Sequence, residues 1–486
     1  MKYVLLTLVS FITTALAGVA QPVSPDVIRS NVESYMDRLE GEGFSGGVLV
    51  AVDGEILLSN GYGFADRANQ IPFSASTVFP IGSITKQFTG AAILKLEMMG
   101  NLDVTDLLSK YIDNIPDDKK SITLHHLLTH SAGLPDAIGF DFAEISRDEY
   151  IHQAIESDLS FEPGSDYAYS NVGYSILAAL VEQLSGESYN AFVQEHLFKP
   201  ARLNTSGYDL KQFASDQIAH GYEGDEDWGT FADKAWDDDG PYWHLRGNGG
   251  LLSTLTDMYA WHDALLGTSV LSDDAKNKYF YPHQPEGRGA DSYYGYGWVI
   301  EESEHGKLIW HNGGNPYFSS DMRRYVDEDV MIFVISNSAE HKAFKIIPTI
   351  SQIVFGEPRE ASFEKAILTV DQIDDHTAGK RTLAMLNMFS GNVPDLLEFV
   401  HENISPRILE RFSAEDLVDA FKDDQRRIGK TEIHRVTATS EYELSLIVKL
   451  ARNGEWRELI ITVDESEPHL IVGIGVDEAT EPGAGN

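Results

Sequence analysis

The chain has 486 residues, of which 42% are apolar and 23% charged, the balance of a soluble globular protein with two or three domains. Its formal net charge of −39 excludes nucleic acid and anionic membranes as favourable partners, because both need a surface rich in lysine and arginine. The absence of cysteine excludes disulfide bonds, thiolate nucleophiles and cysteine-ligated metals.

Residues 1–20 have the pattern of a secretory signal peptide. Lys2 supplies a positive start, an apolar stretch runs from Tyr3 to Leu16, and small residues follow as cleavage sites. The apolar stretch is shorter than the roughly 20 residues that a membrane-spanning helix needs. We therefore expect an exported protein, periplasmic or secreted, without stable membrane insertion.

The pattern of residues 21–356 predicts one α+β domain. Helical spacing covers 25–39, Asp53-Gly54 predicts a hairpin between strands at 45–52 and 55–60, and another helix begins near Ser83. Helices and loops dominate residues 120–260. Strand patterns return at 297–301, 307–311, 318–325 and 330–336. Strands at both ends of the domain predict a single antiparallel sheet flanked by helices, with an inserted all-helical lobe.

Residues 357–478 predict a separate small α+β domain. Helical patterns at 382–401 and 414–426 precede strands near 432–439, 441–450, 455–463 and 469–476. Apolar residues at every second position predict half-buried strands in a curved antiparallel sheet. The pattern is similar to cystatin-like and ketosteroid-isomerase-like sheets, and we interpret the domain as a binding or packing module. Residues 479–486 predict a disordered tail.

The first candidate for chemistry is the pair Ser83 and Lys86. Helical spacing places positions i and i+3 on one face, so the lysine stands within reach of the serine hydroxyl. A serine becomes a nucleophile only when a neighbouring base takes its proton. A second Ser-x-x-Lys match, at Ser362 and Lys365, lies at the domain junction, and we interpret it as accidental.

Two further motifs follow along the chain. Tyr169 and Asn171 open a helix, and a tyrosine beside an ammonium group has a lowered pKa, so a Tyr–Lys pair can act as a base. Taken by themselves, these residues fit an ordinary buried tyrosine followed by a helix cap better than a catalytic group. His311, Gly313 and Gly314 follow a strand, where glycines let the backbone approach a ligand closely.

In this order and at these separations, the three motifs resemble those of class C β-lactamases, DD-peptidases and family VIII carboxylesterases. Segments at 127–135, 249–254 and 294–298 are also similar to family segments, so the resemblance covers about residues 30–355. It implies a β-lactamase/transpeptidase-like fold, an acyl-enzyme on Ser83, and a general base formed by Lys86 and Tyr169. Neither a metal nor a cofactor is expected.

The resemblance also assigns substrate-binding residues. It implies that Asn171 hydrogen-bonds the substrate or the catalytic lysine, that His311 and Gly313 line the site, and that the N–H groups of Ser83 and Gly314 form the oxyanion hole. The β-lactamases and DD-peptidases carry a lysine at the position of His311, where it binds a substrate carboxylate. A histidine is mostly neutral at pH 7, so this departure favours the esterase and D-aminopeptidase branches.

We therefore expect a serine hydrolase that cleaves an ester or amide in a small molecule or peptide. The alternative among enzymes is a peptidoglycan DD-carboxypeptidase or a weak class C-type β-lactamase. The alternative outside enzymes is a catalytically silent ligand-binding protein of the same fold. The sequence leaves the oligomeric state open.

Two other groups of residues have more than one interpretation. His125, His126 and His130 include an i, i+4 pair that suits zinc, but the zinc-protease pattern needs a glutamate that is missing, so no metal is expected. The loop 222–246 contains the aromatic residues Trp228, Trp236, Tyr242 and Trp243. These residues either line a pocket for an acyl chain or pack the loop.

Overall fold

The computed structural model of the protein describes residues 23–287, 289–356, 366–409, 413–464, 466 and 468–479. The predicted signal at 1–20, the Ser-x-x-Lys match at 362–365 and the predicted tail beyond 479 lie outside these residues. The described chain divides into two compact units. The first contains the described residues up to His283 and from Tyr294 to Gly356, and the second contains Gln284–Tyr293 and the described residues from Ala366 on.

An antiparallel sheet is the centre of the first unit. Six of its strands stand side by side in the order Glu55–Tyr62, Gly46–Val52, Val330–Ser336, Ser319–Tyr325, Gly306–Gly314 and Val299–Ser303. Gly46 is opposite Ser336, and Val52 is opposite Val330. Strands from the two ends of the unit therefore pair directly, which confirms the predicted closure of the sheet.

This sheet is buried on both faces. In the strand Gly46–Val52, Leu49 faces the helical lobe, while Val48 faces a second core formed with the helices Pro25–Gly41 and Ala343–Phe355. Both side chains are fully buried. The continuous apolar run of this strand is typical of a sheet that is covered on both sides.

Two helices form the centre of the lobe on the other face. Thr85–Met98 is buried along most of its length and packs against Asn171–Ser185. The Ser170 side chain caps the second helix by accepting the N–H of Gly173, and Gly186, with φ 74°, ends that helix. Lys86 lies in the first turn of one helix and Asn171 begins the other, so the packing of the two helices sets the distance between the first and second motifs.

Shorter elements complete the first unit. The other helices and single turns are Gly82–Ile84, Leu108–Lys110, Asp117–Lys119, Leu124–Leu128, Arg147–Glu156, Tyr189–Val193, Gln194–Phe198, Lys199–Ala201, Leu210–Gln212, Ser215–Gln217, Phe231–Asp233, Leu255–Leu266 and Asp273–Tyr279. The short strands are Phe64–Asp66, Ile71–Pro72, Phe79–Pro80, Gly221–Glu223, Glu226–Gly229 and Leu252–Ser253. Two more short strands are Gln284–Pro285 and Ser292–Tyr294. The first lies within the segment that is grouped with the second unit, and the second lies at the end of that segment. No helix in the described ranges is long and apolar enough to cross a membrane.

The second unit packs helices on a five-stranded antiparallel sheet whose strands follow the chain order. The strands are Ala366–Leu368, Thr431–Ser440, Glu443–Leu450, Trp456–Val463 and Ile471–Glu478. The helices and single turn are Val370–Gln372, Gly379–Phe389, Leu396–Asn403, Pro406–Leu409 and Ala414–Arg427. Leu444, Leu446 and Val448 point into its core, which confirms the small α+β domain predicted from their spacing.

The single helix predicted at 382–401 is wrong in one respect. The chain forms two helices there, Gly379–Phe389 and Leu396–Asn403. Gly391 adopts a left-handed φ of 73° after the first helix, and the Asp395 side chain accepts the N–H groups of Leu397 and Glu398 to begin the second. The apolar spacing continues across the break, so periodicity alone did not indicate it.

Candidate active site

Ser83 and Lys86 are held together by a turn that leads into a buried helix. Ser83 lies in the single 3₁₀ turn Gly82–Ile84, directly before the helix Thr85–Met98. The distance from Lys86 Nζ to Ser83 Oγ is 3.2 Å. The lysine side chain is fully buried and the serine is half-buried. The structure thus places the predicted base at hydrogen-bonding distance from the predicted nucleophile.

The Lys86 amine has two other partners, and both are acceptors. Nζ donates to Asn171 Oδ1 at 2.6 Å and to the backbone oxygen of Asn248 at 2.8 Å. The Asn171 amide nitrogen donates to Asp136 Oδ1 at 2.8 Å, which fixes the orientation of the amide with its oxygen toward the lysine. Of the two partners proposed for Asn171, the structure therefore shows the lysine.

Burial changes the protonation of this amine. Removal from water lowers the pKa of Lys86 from its ordinary value near 10.5 to about 7, and the negative charges of Asp136 and Asp141 partly oppose the shift. A large fraction of Lys86 is therefore neutral at pH 7. A neutral amine has two N–H donors and one lone pair. In the neutral form the two carbonyl acceptors take these donors and the lone pair can accept from the Ser83 hydroxyl, whereas in the ammonium form the third N–H donates to Ser83 Oγ.

Tyr169 stands beside this pair. Lys86 Nζ lies 4.7 Å from the centre of the Tyr169 ring, and Tyr169 lines the same cavity as Ser83. Histidine rings lie next to it, with centres 4.2 Å away for His130 and 6.3 Å away for His311. The three motifs, far apart in the sequence, therefore meet around one serine.

Two glycines allow the third motif to touch the Ser83 turn. A Cβ on Gly82, which has a φ of 55°, would lie 2.2 Å from the Gly314 nitrogen. A Cβ on Gly313 would lie 2.5 Å from the Ser83 nitrogen. Only glycine fits at either position without a backbone shift. This contact places the backbone of the third motif directly against the Ser83 turn, and the oxyanion hole formed by the N–H groups of Ser83 and Gly314 stays a prediction.

His311 is buried and hydrogen-bonded within the protein. Its Nδ1 contacts the carbonyl oxygen of Asn312, which accepts, so the ring proton is on Nδ1. Nε2 then accepts from the Tyr294 hydroxyl at 2.8 Å. Burial, helped by the charge of Lys86, lowers the pKa of His311 to about 3. The ring is neutral with both nitrogens engaged, and its predicted contact with substrate stays a prediction.

Two cavities open on Ser83. The first has polar groups and an apolar end, and is lined by Pro80, Gly82, Ser83, Asp141, Asn171, Phe231, Leu245, Asn248, Gly249, Gly250, Gly314, Asn315 and Phe318. The second is lined by Ser83, Tyr169, Asn312, Gly313, Gly314, Asn315, Phe318, Ser319, Lys342 and Phe344. A nucleophile between two cavities suits acyl transfer, which needs separate room for the acyl part and the leaving group.

Some residues of this site were not predicted from the sequence. Asn248 holds Lys86 through a backbone oxygen, a group that every residue carries, so no residue type signals it. In the loop 222–246, Trp228 stacks on Tyr317 at 5.0 Å, and Trp236 donates to the backbone of Tyr208. These two pack the loop, and Phe231 lines the first cavity instead.

The rings of His125 and His126 are neighbours, with 6.0 Å between their centres, but each is hydrogen-bonded to a different group. His125 Nδ1 is hydrogen-bonded to the Tyr296 hydroxyl at 2.9 Å, and His126 Nδ1 accepts the N–H of Thr123 at 3.3 Å. His130 lies apart from both, against Tyr169. Within the part of the chain that the structure describes, no group of three or more His, Cys, Asp or Glu residues could hold a metal ion.

The part of the chain that contains the site is similar to known proteins. The profile of the family described as Beta-lactamase matches residues 28–352, which include every site residue above. Penicillin-binding protein 4* of Bacillus subtilis (strain 168) is 30% identical over 349 residues, which are 68% of this chain and 77% of the relative.

Two solved structures share the fold. The octameric penicillin-binding protein homologue from Pyrococcus abyssi is 18% identical, with a TM-score of 0.61, and the match covers 93% of this chain and 98% of the homologue. The D-amino acid amidase from Ochrobactrum anthropi SV3, solved with D-phenylalanine, is 20% identical, with a TM-score of 0.56, and the match covers 68% of this chain and 98% of the amidase.

The contact between the Ser83 turn and the third motif yields a prediction. Gly82→Ala should lower kcat/KM for a p-nitrophenyl ester by about 100-fold or more, because the new Cβ displaces Gly314, and the loss of one oxyanion donor costs roughly 10²–10³-fold in kcat. Steady-state hydrolysis, normalised to active sites titrated with a fluorophosphonate, measures the effect.

Gly54→Ala is the matched control. Gly54 has a similar left-handed φ of 73°, but nothing lies within 4 Å of a Cβ built there. The substitution should cost about 1–2 kcal/mol of stability through its backbone conformation and leave kcat/KM unchanged. Equal activity in the two variants would contradict the role of the close approach.

Proposed function

The chain belongs to the β-lactamase family, whose members are serine hydrolases acting on amides and esters, and from this premise we propose that it hydrolyses an ester or amide through an acyl-enzyme on Ser83. The observation that carries the proposal is the fully buried Lys86 amine, 3.2 Å from Ser83 Oγ, with a pKa of about 7. An amine of which about half is neutral at pH 7 can serve as a base toward a serine hydroxyl.

Acylation starts with a proton transfer. As Ser83 Oγ attacks the substrate carbonyl carbon, its proton passes to Lys86 Nζ, acting together with Tyr169. The new ammonium keeps its bonds to Asn171 Oδ1 and to the Asn248 oxygen, and it lies against the Tyr169 ring. The bond between the carbonyl carbon and the leaving group breaks, and the leaving alcohol or amine takes the proton. Water repeats the attack on the acyl-enzyme, and the same base accepts the water proton.

The negative charge on the carbonyl oxygen needs donors that are fixed before the reaction. The N–H groups of Ser83 and Gly314 serve as these donors in the proposal, and the close approach of Gly82 and Gly313 supports it. Preorganised donors of this type contribute roughly 3–4 kcal/mol each to transition-state stabilisation. Pairing of the strand Gly306–Gly314 with the largely buried strand Ser319–Tyr325 supports the position of the third motif.

The proposed substrates are esters or amides without a carboxylate beside the scissile bond, of the esterase or D-amino-acid peptidase type. The neutral His311 supports this class, since both of its nitrogens are already hydrogen-bonded. The fold shared with a D-amino acid amidase is compatible with it.

Action on penicillin-type substrates is the second candidate. Two observations favour it. A relative that is 30% identical is named a penicillin-binding protein, and Lys342 provides a cation in the second cavity beside Ser83. A DD-carboxypeptidase or weak β-lactamase activity would use this cation for a substrate carboxylate.

The proposal also extends to the organisation of the chain. Residues 1–20 would direct export to the periplasm or the medium, residues 21–356 would form the hydrolase domain, and residues 357–478 would form a binding or packing module. The pattern of the first twenty residues supports export.

The assignment of the nucleophile has a direct test. Ser83→Ala should lower kcat by about 10⁴-fold or more and abolish covalent labelling by a fluorophosphonate, with little change in melting temperature. Ser362→Ala, in the second Ser-x-x-Lys match, is the control and should leave both readings unchanged. Activity of Ser83→Ala within tenfold of the unmodified protein would refute the acyl-enzyme, and absence of labelling in the unmodified protein would favour a silent binding protein.

The substrate class is tested by comparing kcat/KM for a short p-nitrophenyl ester with that for nitrocefin, a β-lactam with a carboxylate. The unmodified protein should prefer the ester. His311→Lys should shift the preference toward nitrocefin, mainly through KM, because a charged donor forms a hydrogen bond roughly twice as strong as a neutral one. If the unmodified protein hydrolyses nitrocefin better than the ester, the penicillin-type candidate replaces the esterase proposal.

A further inference from the structure

His130, a buried histidine outside the three motifs, is hydrogen-bonded to the residues on both sides of Tyr169. The N–H of Ala168 donates to the backbone oxygen of His130 at 3.0 Å, and the N–H of Ser170 donates to His130 Nδ1, also at 3.0 Å. Between these two bonds, the Tyr169 ring packs against the imidazole, with 4.2 Å between ring centres. His130 thus contacts the tyrosine and both of its neighbours in the chain.

The hydrogen bond from Ser170 determines which nitrogen of the His130 imidazole carries the proton. Because Nδ1 accepts from a backbone N–H, the ring proton is on Nε2. Burial, together with the charge of Lys86, holds the pKa of His130 well below its usual value of 6.5, so the ring stays neutral at physiological pH. A doubly protonated ring would lose the bond to Ser170, since Nδ1 would then be a donor.

Two features of His130 work against stability. Its φ of 57° lies in the left-handed region, which a histidine adopts less readily than glycine or asparagine. Its Nε2 is buried, and the described contacts give that nitrogen no hydrogen-bond partner. Asparagine would supply the same acceptor to Ser170 and would tolerate the backbone conformation better. The imidazole ring itself, wedged between Tyr169 and Tyr294, is what asparagine would lack.

We propose that His130 is a positioning residue for the reaction, and that its ring sets the orientation of the Tyr169 phenol relative to Lys86 and Ser83. The proposal rests on the proposed function, because it assumes that Tyr169 belongs to the base. His130 touches neither the reacting atoms nor the substrate in this role. It acts through Tyr169, so its removal reduces the rate only while the Tyr169 hydroxyl is present.

A double-mutant cycle tests this coupling. His130→Asn keeps an acceptor for the Ser170 N–H and suits the left-handed φ, but removes the ring, and Tyr169→Phe removes the phenol hydroxyl. His130→Asn should lower kcat/KM for a p-nitrophenyl ester about 10- to 100-fold, mostly through kcat. In the Tyr169→Phe background the same change should cost less than threefold. The rate of fluorophosphonate labelling replaces turnover where turnover is too slow to measure.

His126→Asn is the matched control. His126 lies in the same segment, and its Nδ1 also accepts a backbone N–H, that of Thr123, away from Tyr169. Its substitution should leave kcat/KM within threefold of the unmodified protein. Melting temperatures of all variants distinguish a loss of folded protein from a loss of rate.

The outcomes distinguish a failure of the proposed function from a failure of the positioning role of His130. If Tyr169→Phe keeps full activity, the assignment of the base in the proposed function fails, and the role of His130 fails with it. If Tyr169→Phe is impaired but the losses add, or if His130→Asn is fully active, only the positioning role is overturned. His130→Gln replaces His130→Asn if the latter does not fold, and failure of both to fold would assign His130 to stability and overturn the proposal.

Discussion

The complete burial of the Lys86 amine is the constraint on which the rest of the site depends. An ammonium group is costly to bury, and the protein reduces the cost by favouring the neutral form and by giving the two N–H donors carbonyl acceptors. Nζ also lies 3.2 Å from Ser83 Oγ, so the lone pair of the neutral amine can accept the proton of the Ser83 hydroxyl. The burial that destabilises the charged lysine is thus also what would allow Lys86 to act as the proposed base near neutral pH.

The surrounding fold keeps this amine dry and in place. Lys86 lies on a helix that is enclosed by the lobe, and Asn171 begins the helix that packs against it. A sheet buried on both faces holds the third motif against the Ser83 turn, and the contact is close enough to exclude a Cβ at Gly82. The proposed nucleophile, base and oxyanion donors therefore come from elements that pack directly against one another.

Apolar spacing and the hairpin signal predicted the sheet closure and the central helices, and the i, i+3 spacing predicted that Lys86 lies within reach of Ser83. That Tyr169 joins this pair was implied by the resemblance of the three motifs to a known family, and the Tyr169 ring centre lies 4.7 Å from Lys86 Nζ. The remaining features depend on tertiary contacts without a local signal. The Asn248 oxygen that holds the lysine is a backbone group. The bonds that engage His311 come from its neighbour's carbonyl and from a tyrosine on another strand, which no spacing rule indicates.

The pKa of Lys86 is the quantity that tests the account most directly. NMR titration of the protein carrying ¹³Cε-labelled lysine, with the Lys86 signal assigned from its loss in Lys86→Met, gives this value in the free protein. We expect a midpoint of about 7, so that the amine is protonated below this pH and neutral above it. A Lys86 midpoint near 10 would contradict the account, because the amine would then be a cation at neutral pH and could not accept the serine proton.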